Sequence, residues 1–275
     1  MDDIARASLG ERAALFQRSA ARSPVHDPLL IEKDFWVCWV LHRLGNLNGA
    51  PRMLFKGGTS LSKGFGLIHR FSEDVDLSIS RQDLGIAPDQ DPLATRTRSA
   101  HQRAVRLVRR RLESYVRHDL VRAIEKDFAG VLREDVRVDV SVEGAECVVL
   151  FHYPAARGRS GEALPGQIAE SVRLEFGARS DPAGARQVKV RPYAADAFPA
   201  AFREPECRWP AQAPERTLIE KALLLHASVS RGRLLPQASR HAYDLVQLAR
   251  AGVLESVTRS LFETVTHQVF VFGDD

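Results

Sequence analysis

The stretch "FKGGTSLSKGFGLIHRFSEDVDLSI", Phe55 to Ile79, joins two patterns that mean little apart. It opens on a Gly-Gly turn with two hydroxyls, Thr59 and Ser60, and closes on Asp74 and Asp76, where Val75, Leu77 and Ile79 alternate with polar residues. Alternation with period two predicts a strand, so both aspartates project from one side of it. Two carboxylates so placed can reach one divalent ion, or two ions close together. With no His or Cys nearby, oxygen-only ligands suit Mg²⁺ or Mn²⁺, whose coordination is completed by waters and by substrate phosphates. The turn Gly57-Gly58-Thr59-Ser60 complements the acidic pair: backbone amides at a helix start make an anion site, glycine admits a phosphate closely, and the hydroxyls add donors.

Other nucleotide-binding patterns fit poorly. Lys63 follows Ser62 rather than Gly, so this is not a Walker A loop. The acidic pair also follows too soon after the turn to be the ribose ligand of a dinucleotide fold. Taken singly, "GGTS" is explained by a tight turn and "DVD" by a surface strand; the order of the two carries the phosphate-and-metal reading.

Upstream, residues 4–23 read as an amphipathic helix, and "LIEKDFWVCWVLHRLGNL" as a strongly apolar helix ended by Gly45, with Lys33 and Asp34 as polarity in its first turn. "RMLFKGG" reads as a strand entering the turn, and "SLSKGFGLI" as the start of a helix. Downstream, a helical stretch from about Leu93 to Phe128 has Val105, Val108, Leu112, Tyr115 and Val116 on one stripe. The rest of its circumference is arginine, including Arg103, Arg106 and Arg110, which suits either a solvated face or a surface that tracks RNA phosphates. "VRVDVSV", "CVVLFHYP" and "SVRLEFGARSD" read as strands, the last with Glu175 on its polar face; "AARGRSGEALPGQ" reads as a loop. Glu175 is the candidate third carboxylate. Pro-containing stretches around 192–210 mark a change to helices, which divides the chain into residues 1–204 and a helical part, 205–275.

The chain has 275 residues, 44% of them apolar, and a formal net charge of +4. Length and composition support a buried core, and no apolar run approaches a membrane span. Cys38, Cys147 and Cys207 are too scattered for a disulfide framework or a zinc site, and the acidic start lacks an apolar h-region; both features point to a reducing cytoplasm. Only six of the 39 Lys and Arg residues are lysine: Lys33, Lys56, Lys63, Lys126, Lys189 and Lys221. Heavy arginine use has a plain explanation in a GC-rich genome, but a lysine retained against it is a candidate for a compact phosphate donor.

The quoted stretch resembles the first motif of the DNA polymerase β-type nucleotidyltransferase superfamily, and "FKGGTSLSK" with "RFSEDVDL" resembles the AbiEii/AbiGii toxins, which include the MenT toxins of type IV toxin–antitoxin systems. "IEKDFWVCWVL", "VRLEFGARS", "TLIEKALLLH" and "RHAYDLVQL" extend the resemblance over most of the chain. It implies an α+β fold, a polymerase β-like core of mixed sheet flanked by helices, with a C-terminal helical bundle. It also implies that Gly57, Gly58, Thr59 and Ser60, with Lys63 nearby, hold the nucleotide. Asp74 and Asp76 are then the metal ligands, Lys221 contacts the triphosphate, and Asp244 is the carboxylate of the last motif; Glu175 lies in a family-like strand and stays the candidate third ligand on its position there, ranked below the aspartate pair. From the residues alone, Lys221 also reads as a snorkelling side chain, and Asp244 as a partner of Arg240 one turn earlier.

The implied activity is Mg²⁺-dependent transfer of a nucleoside monophosphate from an NTP to an RNA acceptor, the tRNA 3′ end in particular, blocking translation; a cognate antitoxin is the implied partner. Alternatives left open are nucleotidyl transfer to a small molecule or a protein, a kinase, and an inactive NTP- or RNA-binding module.

Overall fold

Val75, Leu77 and Ile79 are fully buried, as the alternation around the aspartates requires, and they place the motif strand at the middle of a seven-stranded mixed sheet. The computed structural model describes residues 1–156, 169–180, 184–232 and 237–273. Its strands are β1 (Met53–Lys56), β2 (Val75–Ile79), β3 (Arg137–Glu143), β4 (Glu146–His152), β5 (Ser171–Gly177), β6 (Arg186–Val190) and β7 (Cys207–Ala211), in the order β3-β4-β5-β2-β1-β7-β6. β2 runs antiparallel to β1 and parallel to β5, while β7 joins the other side of β1 in parallel.

The helices are α1 (Asp2–Ala5), α2 (Leu9–Ala20), α3 (Pro28–Gly45), α4 (Gly57–Thr59), α5 (Arg98–Tyr115), α6 (Val121–Ala129), α7 (Tyr193–Ala197), α8 (Pro214–Ser230), α9 (Ala238–Arg250) and α10 (Arg259–Phe272). The helix expected over 4–23 is broken in two by Ser8, which caps α2 in a reciprocal box with Glu11. α3 ends at Gly45 as its pattern predicts, but begins at Pro28 behind an Asp27 cap, ahead of the start expected at Leu30. No helix among the described residues is long and apolar enough to cross a membrane.

Residues in register share a face of the sheet. Phe55, Leu77, Phe176 and Cys147 form one face, which α3, α5 and α6 cover through Trp36, Trp39, Leu112, Ile124 and Phe128. Trp39, Phe128 and Phe151 lie with ring centroids 4.7–5.9 Å apart, in the tilted and edge-on geometries that aromatic quadrupoles favour. The opposite face carries Lys56, Asp76, Glu175 and Val148. Burying one face and charging the other is what turns the sheet into a platform for a site.

Two strands were not legible. β6 has only Val188 and Val190 as buried anchors, and β7 contains Pro210, a residue that argues against a strand in the interior of a sheet. The sheet accommodates it because pairing with β1 starts at Ala211, one residue beyond Pro210. The division expected at residue 205 therefore falls ahead of a sheet strand, and the helical part starts at Pro214. The loop expected over 155–167 lies mostly outside the described residues.

Candidate active site

β1 delivers the chain into the glycine turn with Lys56 directly across from Asp76. Gly57 has φ +77, in the left-handed region, and a Cβ there would lie 1.8 Å from Asp76 Oδ2. The position therefore needs glycine for both backbone conformation and the approach of the carboxylate. At Gly58 a Cβ would come within 2.6 Å of Arg70 Nη2 and 2.9 Å of Ser72 Oγ.

The hydroxyls do not serve as expected. Thr59 Oγ1 donates to the Asp74 carbonyl and lies 2.9 Å from Ser72 Oγ, and Ser60 Oγ donates to Gly57 O at 2.9 Å. Both side chains are fully buried, so they brace the turn, and the Ser60 amide also donates to Gly57 O. The helix expected after the turn is also short: α4 passes into a single π-turn, Ser60–Gly64, and residues up to Asp74 form a loop. Leu61 and Ile68 anchor that loop against Leu218, Leu248 and Val253, which ties the turn to α8 and α9.

Asp76 and Glu175 face each other across β2 and β5, with Asp74 just ahead of the strand. Burial pushes the Asp76 carboxyl up to about 7, with Glu175, Glu146 and Asp74 adding repulsion and Lys56 opposing them. Asp74 is raised for the same reasons, burial first and then Glu175 and Glu73. Buried carboxylates that repel one another are short of positive charge, so the aspartate pair fits a hard divalent cation.

Glu175 fits less well, because Arg173 Nε donates to it at 2.7 Å and the same guanidinium grips Glu143 at 2.6 Å. Among the described residues no group of three or more His, Cys, Asp or Glu side chains is arranged to hold a metal, so the three-carboxylate set is not assembled.

Lys221 of α8 and Asp244 of α9 do meet. Lys221 Nζ lies 3.1 Å from Asp244 Oδ2 and 3.2 Å from His241 Nδ1. Asp244 is fully buried, and its main partner is not Arg240 but Arg70, whose Nε and Nη2 donate at 2.7 and 2.8 Å. Burial alone would raise the Asp244 carboxyl; the Arg70 hydrogen bonds and the Lys221 charge outweigh it and hold the group below its ordinary value. Burial, reinforced by the Lys221 charge, lowers His241 and favours its neutral form.

Lys63 turns away from the turn. Its ammonium pairs with Asp34 Oδ1 at 2.8 Å and sits 3.6 Å above the Tyr193 ring, while Lys33 reaches Glu73 at 3.1 Å. Lys33 and Asp34 are thus buried ion-pair members, not helix-end polarity. Arg103, Arg106 and Arg110 are exposed on α5, which covers the face of the sheet opposite Asp76. Lys56 and Arg70 escaped the sequence reading. The scarcity of lysine was a signal for Lys56, and Arg70 lies inside the motif itself, between Ile68 and Asp74.

Residues 39–271 match the family described as Nucleotidyl transferase AbiEii toxin, Type IV TA system. Among solved structures, the chain is similar to MenT4, a nucleotidyltransferase toxin from Mycobacterium tuberculosis H37Rv. The TM-score is 0.51 at 20% identity, over 94% of this chain and 71% of that one. No curated protein matches. At that identity the structural likeness speaks for the α+β fold, while the family match spans most of the chain. The chain belongs to the AbiEii nucleotidyltransferase toxin family of type IV toxin–antitoxin systems.

Proposed function

We propose that this nucleotidyltransferase transfers a nucleoside monophosphate from an NTP to the 3′ end of an RNA, a tRNA in particular, and thereby blocks translation in the cytoplasm. The observation that carries the reading is the approach of Gly57 to Asp76: the turn suited to phosphate and the strand suited to metal meet with no room for a Cβ. The backbone amides of Gly58 and Thr59 would bind the triphosphate, since the Ser60 amide already donates to Gly57 O, and Asp74 and Asp76 would hold Mg²⁺ or Mn²⁺. A bound divalent ion neutralises phosphate charge and lowers the pKa of the attacking hydroxyl. The acceptor oxygen forms a bond to the α-phosphorus, the bond to the bridging oxygen of pyrophosphate breaks, and an Asp76 carboxylate oxygen accepts the hydroxyl proton. Charge developing on pyrophosphate is met by Lys221. Residues up to β7 would form the catalytic unit and those from Pro214 the helical cover that brings Lys221. The antitoxin implied by the family is the further partner.

The test is incubation of the protein, and of Asp76→Ala, with total tRNA, Mg²⁺ and each NTP labelled at the α- or the γ-phosphate. Label from the α position alone is expected in tRNA. Absence of label sinks the RNA reading, and label that survives in the variant removes Asp76 from the chemistry. Transfer to a small alcohol is a second reading, favoured by the α5 arginines lying across the sheet from Asp76, where they cannot touch the reacting end of an acceptor. Including small alcohols in the same assay separates the two.

A further inference from the structure

We propose that Arg70 is itself a phosphate-binding residue of this site, and that Asp244 is a positioning residue that holds Arg70 and Lys221 as paired cations beside the glycine turn. The inference rests on the reading of that turn as the triphosphate site.

Three observations support it. One fully buried carboxylate serves two cations, gripping Arg70 through two hydrogen bonds and Lys221 through an ion pair. With His241 neutral, the cluster keeps one net positive charge. Second, Arg70 Nη2 lies against Gly58 so closely that a Cβ there would stand 2.6 Å away, which places the guanidinium at the anion-facing turn. Third, the bonding is incomplete on the side away from Asp244. Nε and Nη2 each direct one N–H at the carboxylate, and Nη1 has a long hydrogen bond of 3.4 Å to Phe71 O. A guanidinium carries five N–H groups, so two remain for an anion among the described residues. The side chain is 20% exposed, so it is not sealed from solvent.

A latch tying the loop to α9 would use the same two hydrogen bonds but would have no reason to sit against the turn or to share its carboxylate with a second cation. The arrangement also gives Asp244 a task that needs neither metal coordination nor proton transfer: its burial fixes the fork of Arg70 before substrate arrives.

Equilibrium binding of inorganic tripolyphosphate and of the four NTPs to the full chain, compared with Arg70→Gln, Arg70→Lys and Asp244→Asn, tests this. Arg70→Gln is expected to weaken tripolyphosphate and all four NTPs alike, by about tenfold or more, the usual loss for one charge-assisted hydrogen bond. Arg70→Lys should recover part of it. In transfer assays KM should rise while kcat changes little, since the substitution weakens ground state and transition state equally. Combining Arg70→Gln with Asp244→Asn should do no more than Asp244→Asn alone, because the second change removes what the first relies on. A wild-type chain that binds no tripolyphosphate refutes the reading of the turn. A wild type that binds, beside a folded Arg70→Gln variant within about twofold of it, overturns the role of Arg70; additive losses in the double variant overturn the role of Asp244. Should Arg70→Gln not fold, phenylglyoxal labelling of Arg70 in the wild type decides, with protection by tripolyphosphate expected and unchanged labelling refuting the assignment.

Discussion

Replacing Gly57 by Ala adds one methyl group at the place where turn and carboxylate meet. The residue sits at φ +77, so an L side chain costs about 1–2 kcal/mol in the backbone alone. The new Cβ would stand 1.8 Å from Asp76 Oδ2, and ordinary van der Waals packing begins near 3.4 Å, so the carboxylate must retreat by roughly 1.6 Å. Misplacing a catalytic group by about 1 Å costs on the order of 100-fold in rate, and a loss of at least that size is expected here. Gly49 provides the control: it has φ +75 with nothing within 4 Å of its Cβ position, so Gly49→Ala carries the backbone strain without the collision. Both variants should lose a few degrees in Tm. Only Gly57→Ala should lose transfer of α-labelled nucleotide. Equal activities in the two variants would refute the assignment of Asp76 as the group crowded by the turn.

Lys63→Met leaves Asp34 buried without its cation and should cost about 3–5 kcal/mol in chemical denaturation, while tripolyphosphate affinity of the folded variant stays unchanged. A loss of phosphate affinity at unchanged stability would return Lys63 to the substrate site. For Asp76, burial raises the folded pKa to about 7, above the unfolded value, so its contribution to stability is present at acid pH and lost as pH rises through 7. Mg²⁺ binding competes with that proton, so Mg²⁺ should raise Tm at pH 8 and do little at pH 5.5; an equal effect at both would contradict the assignment. Replacing Arg103, Arg106 and Arg110 by Gln should flatten the salt dependence of tRNA binding by up to about one log–log unit for each RNA phosphate no longer neutralised. Transfer to a short oligonucleotide should be unaffected, since α5 lies across the sheet from Asp76; a matching loss there would place α5 at the reacting end.

Sequence alone determined the features that rest on local pattern. The alternation around Asp74 and Asp76 defined β2 and its charged face, Gly45 marked the end of α3, and the order of glycine turn and acid pair raised the phosphate-and-metal reading. These are legible because side-chain period, caps and turn glycines act over a few residues. Tertiary structure decided what depends on partners distant in the chain. Asp244 reads as the partner of a residue one turn away, yet it is taken by Arg70, 174 residues removed. Lys63 follows the turn in sequence, yet burial commits it to Asp34, 29 residues earlier. β7 shows the same for the fold, since a strand whose proline local propensity rejects is held by pairing of Pro210 with β6 and of Ala211 with β1. A charge buried at low dielectric must take the nearest opposite charge that the fold presents, and sequence spacing carries no information about which one that is.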